Sequence, residues 1–148
     1  MTAIFKDDLV RGHSGEADFA ALFEPALERL DGRTADFRVV RTGELVEIKT
    51  DFYPFEKTAN VFMERYSYGD VDGGPWQALK KGAKYYVYMF DSNGAFYIFQ
   101  TELLVRFLEW RFKDAELIPV KNQSHVTRGY KIPRAAIAHL VCPPTVLT

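Results

Sequence analysis

Between Ser14 and Leu30 the apolar residues recur at helical spacing. Phe19, Phe23, Leu27 and Leu30 are separated by four, four and three positions, with Leu22 and Ala26 beside them. The pattern predicts an amphipathic helix with Ser14 as its N-cap. Glu16 lies three residues before Phe19 and continues the stripe, whereas Asp18, Glu24 and Glu28 fall off it. A carboxylate on a core-facing side needs a partner or a metal, although an acid in a first turn also suits the positive helix end. Pro25 has no amide hydrogen to give a helix interior, so a kink or break is expected there.

From Thr34 the pattern changes. Residues 34–40 and 45–49 read as two strands joined by a tight turn at Arg41-Thr42-Gly43-Glu44. A loop with Pro54 follows, and Asn60 to Tyr66 reads as a third strand. Gly69, Gly73, Gly74 and Pro75 mark a flexible connection to a short helix over Trp76–Lys81. Lys84-Tyr85-Tyr86-Val87-Tyr88-Met89-Phe90 is the strongest strand signal in the chain. After a turn at Asp91–Gly94, residues 95–100 read as a further strand. Thr101 is expected to cap a helix through about Phe112, with Leu103, Leu104, Phe107 and Leu108 at helical spacing. Lys121–Gly129 reads as a polar loop, Tyr130–Ile132 as a short strand and Arg134–Leu140 as a short helix, with a tail from Cys142 onward.

Composition narrows the class. A chain of 148 residues that is 47% hydrophobic supports one domain with a full core. One cysteine, Cys142, cannot form an intramolecular disulfide, which fits a reducing compartment. The first ten residues carry Lys6, Asp7 and Asp8 and lack an apolar core of signal-peptide length, and no stretch approaches membrane-spanning length. A cytoplasmic protein is expected. His13, His125 and His139 stand apart, without zinc-ligand spacing, and no P-loop or G-x-G-x-x-G is present. A net charge of −1 and a pI near 6.3 count modestly against a nucleic-acid partner. Basic residues nevertheless cluster: Lys80, Lys81 and Lys84 surround the short helix, and Lys121, Arg128, Lys131 and Arg134 fall in a late segment. Either cluster can track a phosphate backbone, and either can be an ordinary solvated face.

The chemistry concentrates in the first two strands. Side chains two apart on a strand share a face, so Glu47 and Lys49 point one way and Val46 and Ile48 the other. Pairing around Thr42-Gly43 brings Asp36 to the Glu47 side. Two converging carboxylates beside a lysine can hold a divalent metal and orient a water against a phosphodiester.

Asp36 followed by Glu47-Ile48-Lys49 resembles the PD-(D/E)XK, or restriction-endonuclease-like, nuclease superfamily, with Ala35 in place of the family's proline. Asn60, Glu64, Gly73-Gly74 and Lys84-Tyr85-Tyr86 are similar to a segment of its small phage-type members, so the likeness covers roughly residues 12–100. The resemblance implies an α/β fold, a central mixed sheet flanked by helices in the order αβββαβ. It implies Mg²⁺ or Mn²⁺ as cofactor, held by Asp36, Glu47, the main-chain carbonyl of Ile48 and a first-helix acid, for which Glu16 stands in the right order. Lys49 would act on the water or the transition state, and Glu64 would be a supporting carboxylate. Lys80, Lys81 and Lys84 are candidates for contact with nucleic acid. The implied activity is a structure-specific endodeoxyribonuclease of recombination, repair or phage DNA processing, similar to Holliday-junction resolvases. Its partner would be branched or duplex DNA, with a homodimer needed for symmetric cutting. The alternative is a non-catalytic nucleic-acid- or protein-binding module on the same fold.

Overall fold

The computed structural model of the protein describes residues 15–31, 34–122 and 124–148. Ser14 and His13 lie outside them, and so does the expected N-cap.

The first helix, α1, is seen over residues 15–23 and stops before Pro25, where the sequence anticipates a break. It does not resume. Leu27–Arg29 is instead the first strand, β1, so the expected helix to Leu30 is corrected. Leu27 fits either reading, because it is buried on the same core as Phe19 and Phe23. β2 (Phe37–Val39) and β3 (Leu45–Asp51) form the expected hairpin, in register Phe37↔Val46. Gly43 closes the turn at φ 77°, a left-handed conformation that glycine adopts without steric cost.

The next strand, β4 (Asn60–Tyr68), is present where expected but belongs to a different sheet. The central sheet runs β1-β2-β3-β6-β7, where β6 is Ala83–Phe90 and β7 is Phe96–Gln100. β3 and β6 are parallel, and the other neighbours in this sheet are antiparallel. The protein is therefore α/β, with a mixed central sheet and flanking helices. The third strand of that sheet is Leu45–Asp51 rather than Asn60–Tyr68, because β1 takes the first place. A second, antiparallel sheet has the order β5-β4-β9-β8, with β5 at Val71–Asp72, β8 at Ile118–Lys121 and β9 at Val126–Pro133. The expected polar loop 121–129 is thus largely strand. Lys121 ends the edge strand β8, and Val126–Gly129 open the interior strand β9, where polar Thr127 and Arg128 hide the apolar period.

Alternation divides the core in two. Val46, Ile48, Val87, Met89 and Ile98 face α1 on one side of the central sheet. Tyr86, Tyr88, Phe90 and Phe99 face the other way, toward Val61, Met63 and Ile132 of the second sheet and Leu104 and Leu108 of helix α3 (Thr101–Phe112). Gln100, not Thr101, is the N-cap of α3, and the buried Thr101 hydroxyl has no partner among the described residues. Beyond a short helix α4 (Arg134–Ile137), the expected tail folds back: residues 144–147 form a 3₁₀ turn, and Leu147 is fully buried against the α1 side. Among the described residues no helix is long and apolar enough to cross a membrane.

Candidate metal and phosphodiester site

β2 accompanies β3 only as far as Val46, and among the described residues no strand pairs with the remainder of β3 on that side. Asp36 sits where the strands part. Its amide donates to the Val46 carbonyl at 3.1 Å, and its Oδ2 accepts the Ile48 amide hydrogen at 2.9 Å. The carboxylate thus replaces the strand partner that β2 no longer provides. Within a strand, the N–H and C=O of one residue point to the same side. The Ile48 carbonyl therefore faces the same edge of β3 as Asp36.

Glu47 lies on the Asp36 side of the sheet, opposite to buried Val46 and Ile48. Its Oε2 is buried and has no hydrogen-bond partner among the described residues. Burial first, then the neighbouring Asp36 carboxylate, pushes the Glu47 carboxyl from 4.5 up to about 7. The two acids are close enough for a hydrogen bond between them. Glu16 adds a smaller push in the same direction, and the Lys81 ammonium opposes it. Lys49, two residues on, is exposed on the same face as Glu47. Asp36 and Glu47 are thus neighbours, and Lys49 shares the Glu47 face of the strand.

α1 covers the opposite face of the sheet, and the Glu16 charge acts on Glu47 only as the weakest of its electrostatic neighbours. Glu16 also pairs with Arg29 across 3.3 Å. Glu64 has a visible task elsewhere. Its Oε2 accepts the Gly74 amide hydrogen at 2.9 Å, fixing the start of helix α2 (Gly74–Lys80) against β4. A Cβ on Gly73 would lie 2.6 Å from that same oxygen, which accounts for the glycine pair. Glu64 still stands close enough to Tyr86 to help raise its pKa, after burial as the main cause and together with Glu47 and Asp36.

The three candidate DNA-binding lysines separate. Lys80 is paired with Asp72 at 2.6 Å. Lys84 is exposed beside the irregularity in the β3–β6 pairing. Lys81, at the C-terminal cap of α2, is the one whose charge acts on Glu47. Sequence reading places Lys81 with DNA and overlooks Tyr86, which is the register partner of Glu47 on β6. Both placements depend on how β6 returns beside β3, and no local signal carries that. Among the described residues, no group of three or more His, Cys, Asp or Glu side chains is gathered so as to hold a metal ion by itself. What the site offers is a pair of hard carboxylates, one with a buried oxygen that no donor among the described residues reaches, and a main-chain carbonyl on the same edge. That donor set suits Mg²⁺ or Mn²⁺ rather than a soft metal.

Beyond Lys49 this edge continues into a cavity of about 600 Å³, bounded by the loop after β3 and by the second sheet. Asp51 and Tyr88 form its inner end: the Tyr88 hydroxyl donates to Asp51 and accepts the Phe62 amide hydrogen at 3.0 Å, which ties the two sheets together.

Compared with protein-family models, with curated proteins and with solved structures, the chain has no significant match.

Proposed function

We propose that this protein is a metal-dependent nuclease that hydrolyses DNA phosphodiesters, a structure-specific endonuclease of the PD-(D/E)XK type. The observation that carries the reading is the Glu47 carboxyl, held against the Asp36 carboxylate, with a buried Oε2 that no donor among the described residues reaches. Two acids held this close cost free energy unless a cation neutralises them. The order of the central sheet supports the same assignment: one helix, three strands in an antiparallel meander, a helix, then a strand parallel to the third.

Asp36, Glu47 and the Ile48 carbonyl would hold Mg²⁺ or Mn²⁺, with Glu16 supporting it directly or through water. When bound, that ion supplies charge neutralisation at the phosphate and a water of lowered pKa. Asp36, fixed by the Ile48 amide, holds its second oxygen in place without reorganisation. Lys49 projects from the same face of a rigid strand, where its ammonium can position the attacking water or offset charge that develops on the phosphoryl oxygens. Lys81 favours the ionised form of Glu47, the form that binds cations.

A cleavage panel tests the proposal: single strands, duplexes, flaps, four-way junctions and closed circles, each with Mg²⁺ and with Mn²⁺. Cutting of branched DNA and circles, lost in Asp36→Asn together with Mn²⁺ binding by calorimetry, is expected. Mn²⁺ binding at these carboxylates with no cleavage of any substrate would leave a binding module and end the nuclease reading.

A further inference from the structure

The cavity beside Lys49 has a composition that the carboxylate site does not require. Three of its lining residues are lysines: Lys49 at the end nearest Glu47, Lys57 from the loop and Lys131 from β9. Between them stand aromatic rings. Tyr53 is 57% exposed, and Phe62 is the cross-strand partner of Lys131, so both lie on the outer face of the second sheet. The Phe62 ring rests where Gly129 has no side chain; a Cβ there would lie 2.7 Å from its Cζ. Gly129 thus leaves room for the Phe62 ring on that face of the sheet. Asp51, the acid within the groove, is occupied by the Tyr88 hydroxyl and the Tyr53 amide hydrogen, the latter at 2.8 Å.

Cations that follow a groove, alternating with aromatic faces, suit an unpaired nucleic-acid strand: phosphates meet the ammonium groups and bases stack on the rings. The volume of about 600 Å³ is that of a small-ligand pocket. A duplex, whose major groove alone is about 12 Å wide, does not enter it. We propose that the groove from Lys49 to Lys131 holds an unpaired DNA strand that flanks the scissile phosphate, so that the enzyme acts where single strand meets duplex. The inference deepens the nuclease reading and rests on it for the position of the cut.

The test separates binding from cleavage. Fluorescence anisotropy in EDTA compares a short oligothymidylate with a blunt duplex, for wild type and for Lys57→Ala, Lys131→Ala and Tyr53→Ala. Lys113→Ala serves as control, an exposed lysine at the C-terminal cap of α3 that does not line the groove. The oligothymidylate is expected to bind more tightly than the duplex. Tyr53→Ala should weaken it about tenfold, the effect of one lost stacking contact. Each groove lysine removed should flatten the logarithmic salt dependence by about 0.7, and Lys113→Ala should change nothing. All three variants alter exposed side chains, so folding is retained and checked by circular dichroism. Equal affinity for duplex and single strand, or groove variants that bind like wild type, overturns the proposal. If those variants bind normally while the wild type still cuts DNA, the groove fails and the nuclease stands. If groove-dependent binding occurs with no cleavage in Mg²⁺ or Mn²⁺, the groove stands and the nuclease reading fails.

Discussion

Replacing Glu47 by glutamine should make the metal-free protein more stable at pH 8 while abolishing its activity. Burial and Asp36 raise the Glu47 carboxyl from 4.5 to about 7. The folded protein therefore keeps a proton that the unfolded chain releases across that window, and stability falls as pH rises from about 4.5 to 7. Above pH 7 the full cost applies. The displacement is equivalent to about 3 kcal/mol, of which solvent screening at this half-buried side chain leaves about 2 kcal/mol. Glutamine keeps the shape and carries no charge, so the cost disappears. For a domain of this size each kcal/mol moves the midpoint by about 2–4 °C. The variant should thus melt about 4–8 °C above wild type at pH 8 in EDTA, and the difference should vanish near pH 4. Thermal melts at pH 4, 6 and 8, with and without Mn²⁺, measure it. Mn²⁺ should raise the wild-type midpoint, since it binds the folded form, and leave the variant unmoved. A variant less stable than wild type at pH 8, or a difference independent of pH, would refute the argument that Glu47 is a strained, cation-seeking acid.

Three further outcomes follow from the same geometry. Lys49→Ala should abolish cleavage with an unchanged midpoint, because the side chain is exposed and in the proposed mechanism acts on the transition state; wild-type turnover in that variant removes the lysine from the mechanism. Glu16→Gln should lower turnover strongly while costing at most about 1 kcal/mol, the worth of its partly exposed pair with Arg29; unchanged turnover would confine Glu16 to that ion pair. Gly73→Ala should destabilise by about 1–3 kcal/mol, read from urea melts, because its Cβ would lie 2.6 Å from the Glu64 carboxylate; a neutral result would show that α2 is free to shift.

The acidic site is legible in sequence because it is local. Strand alternation gives the common face of Glu47 and Lys49, and the glycine turn sets the register that adds Asp36. The break at Pro25 is legible too, since it follows from a missing amide. What comes after the break is not. Leu27 and Leu30 continue the helical stripe by spacing, and a three-residue strand has no period of its own with which to compete. Neighbouring strands in sequence usually neighbour in space, which places Asn60–Tyr68 in the central sheet. The structure sends it to a second sheet, paired with β9, a strand whose first residues are too polar to announce themselves. The Lys81 charge acts on Glu47 only because α2 and β6 return alongside β3, and Leu147 enters the core only through the same long-range packing.

The parts of the site differ in how far along the chain their partners lie. Asp36 meets Ile48 across a hairpin, twelve residues away. Phe62 meets Lys131 across roughly half the chain. Short loops close early in folding, and long ones wait until the entropy of closure is offset by packing. In refolding, the carboxylate pair should therefore become able to bind a cation well before the second sheet closes around the groove. A metal-dependent signal that rises ahead of oligonucleotide binding would be the kinetic trace of this division, with one site assembled on two clocks.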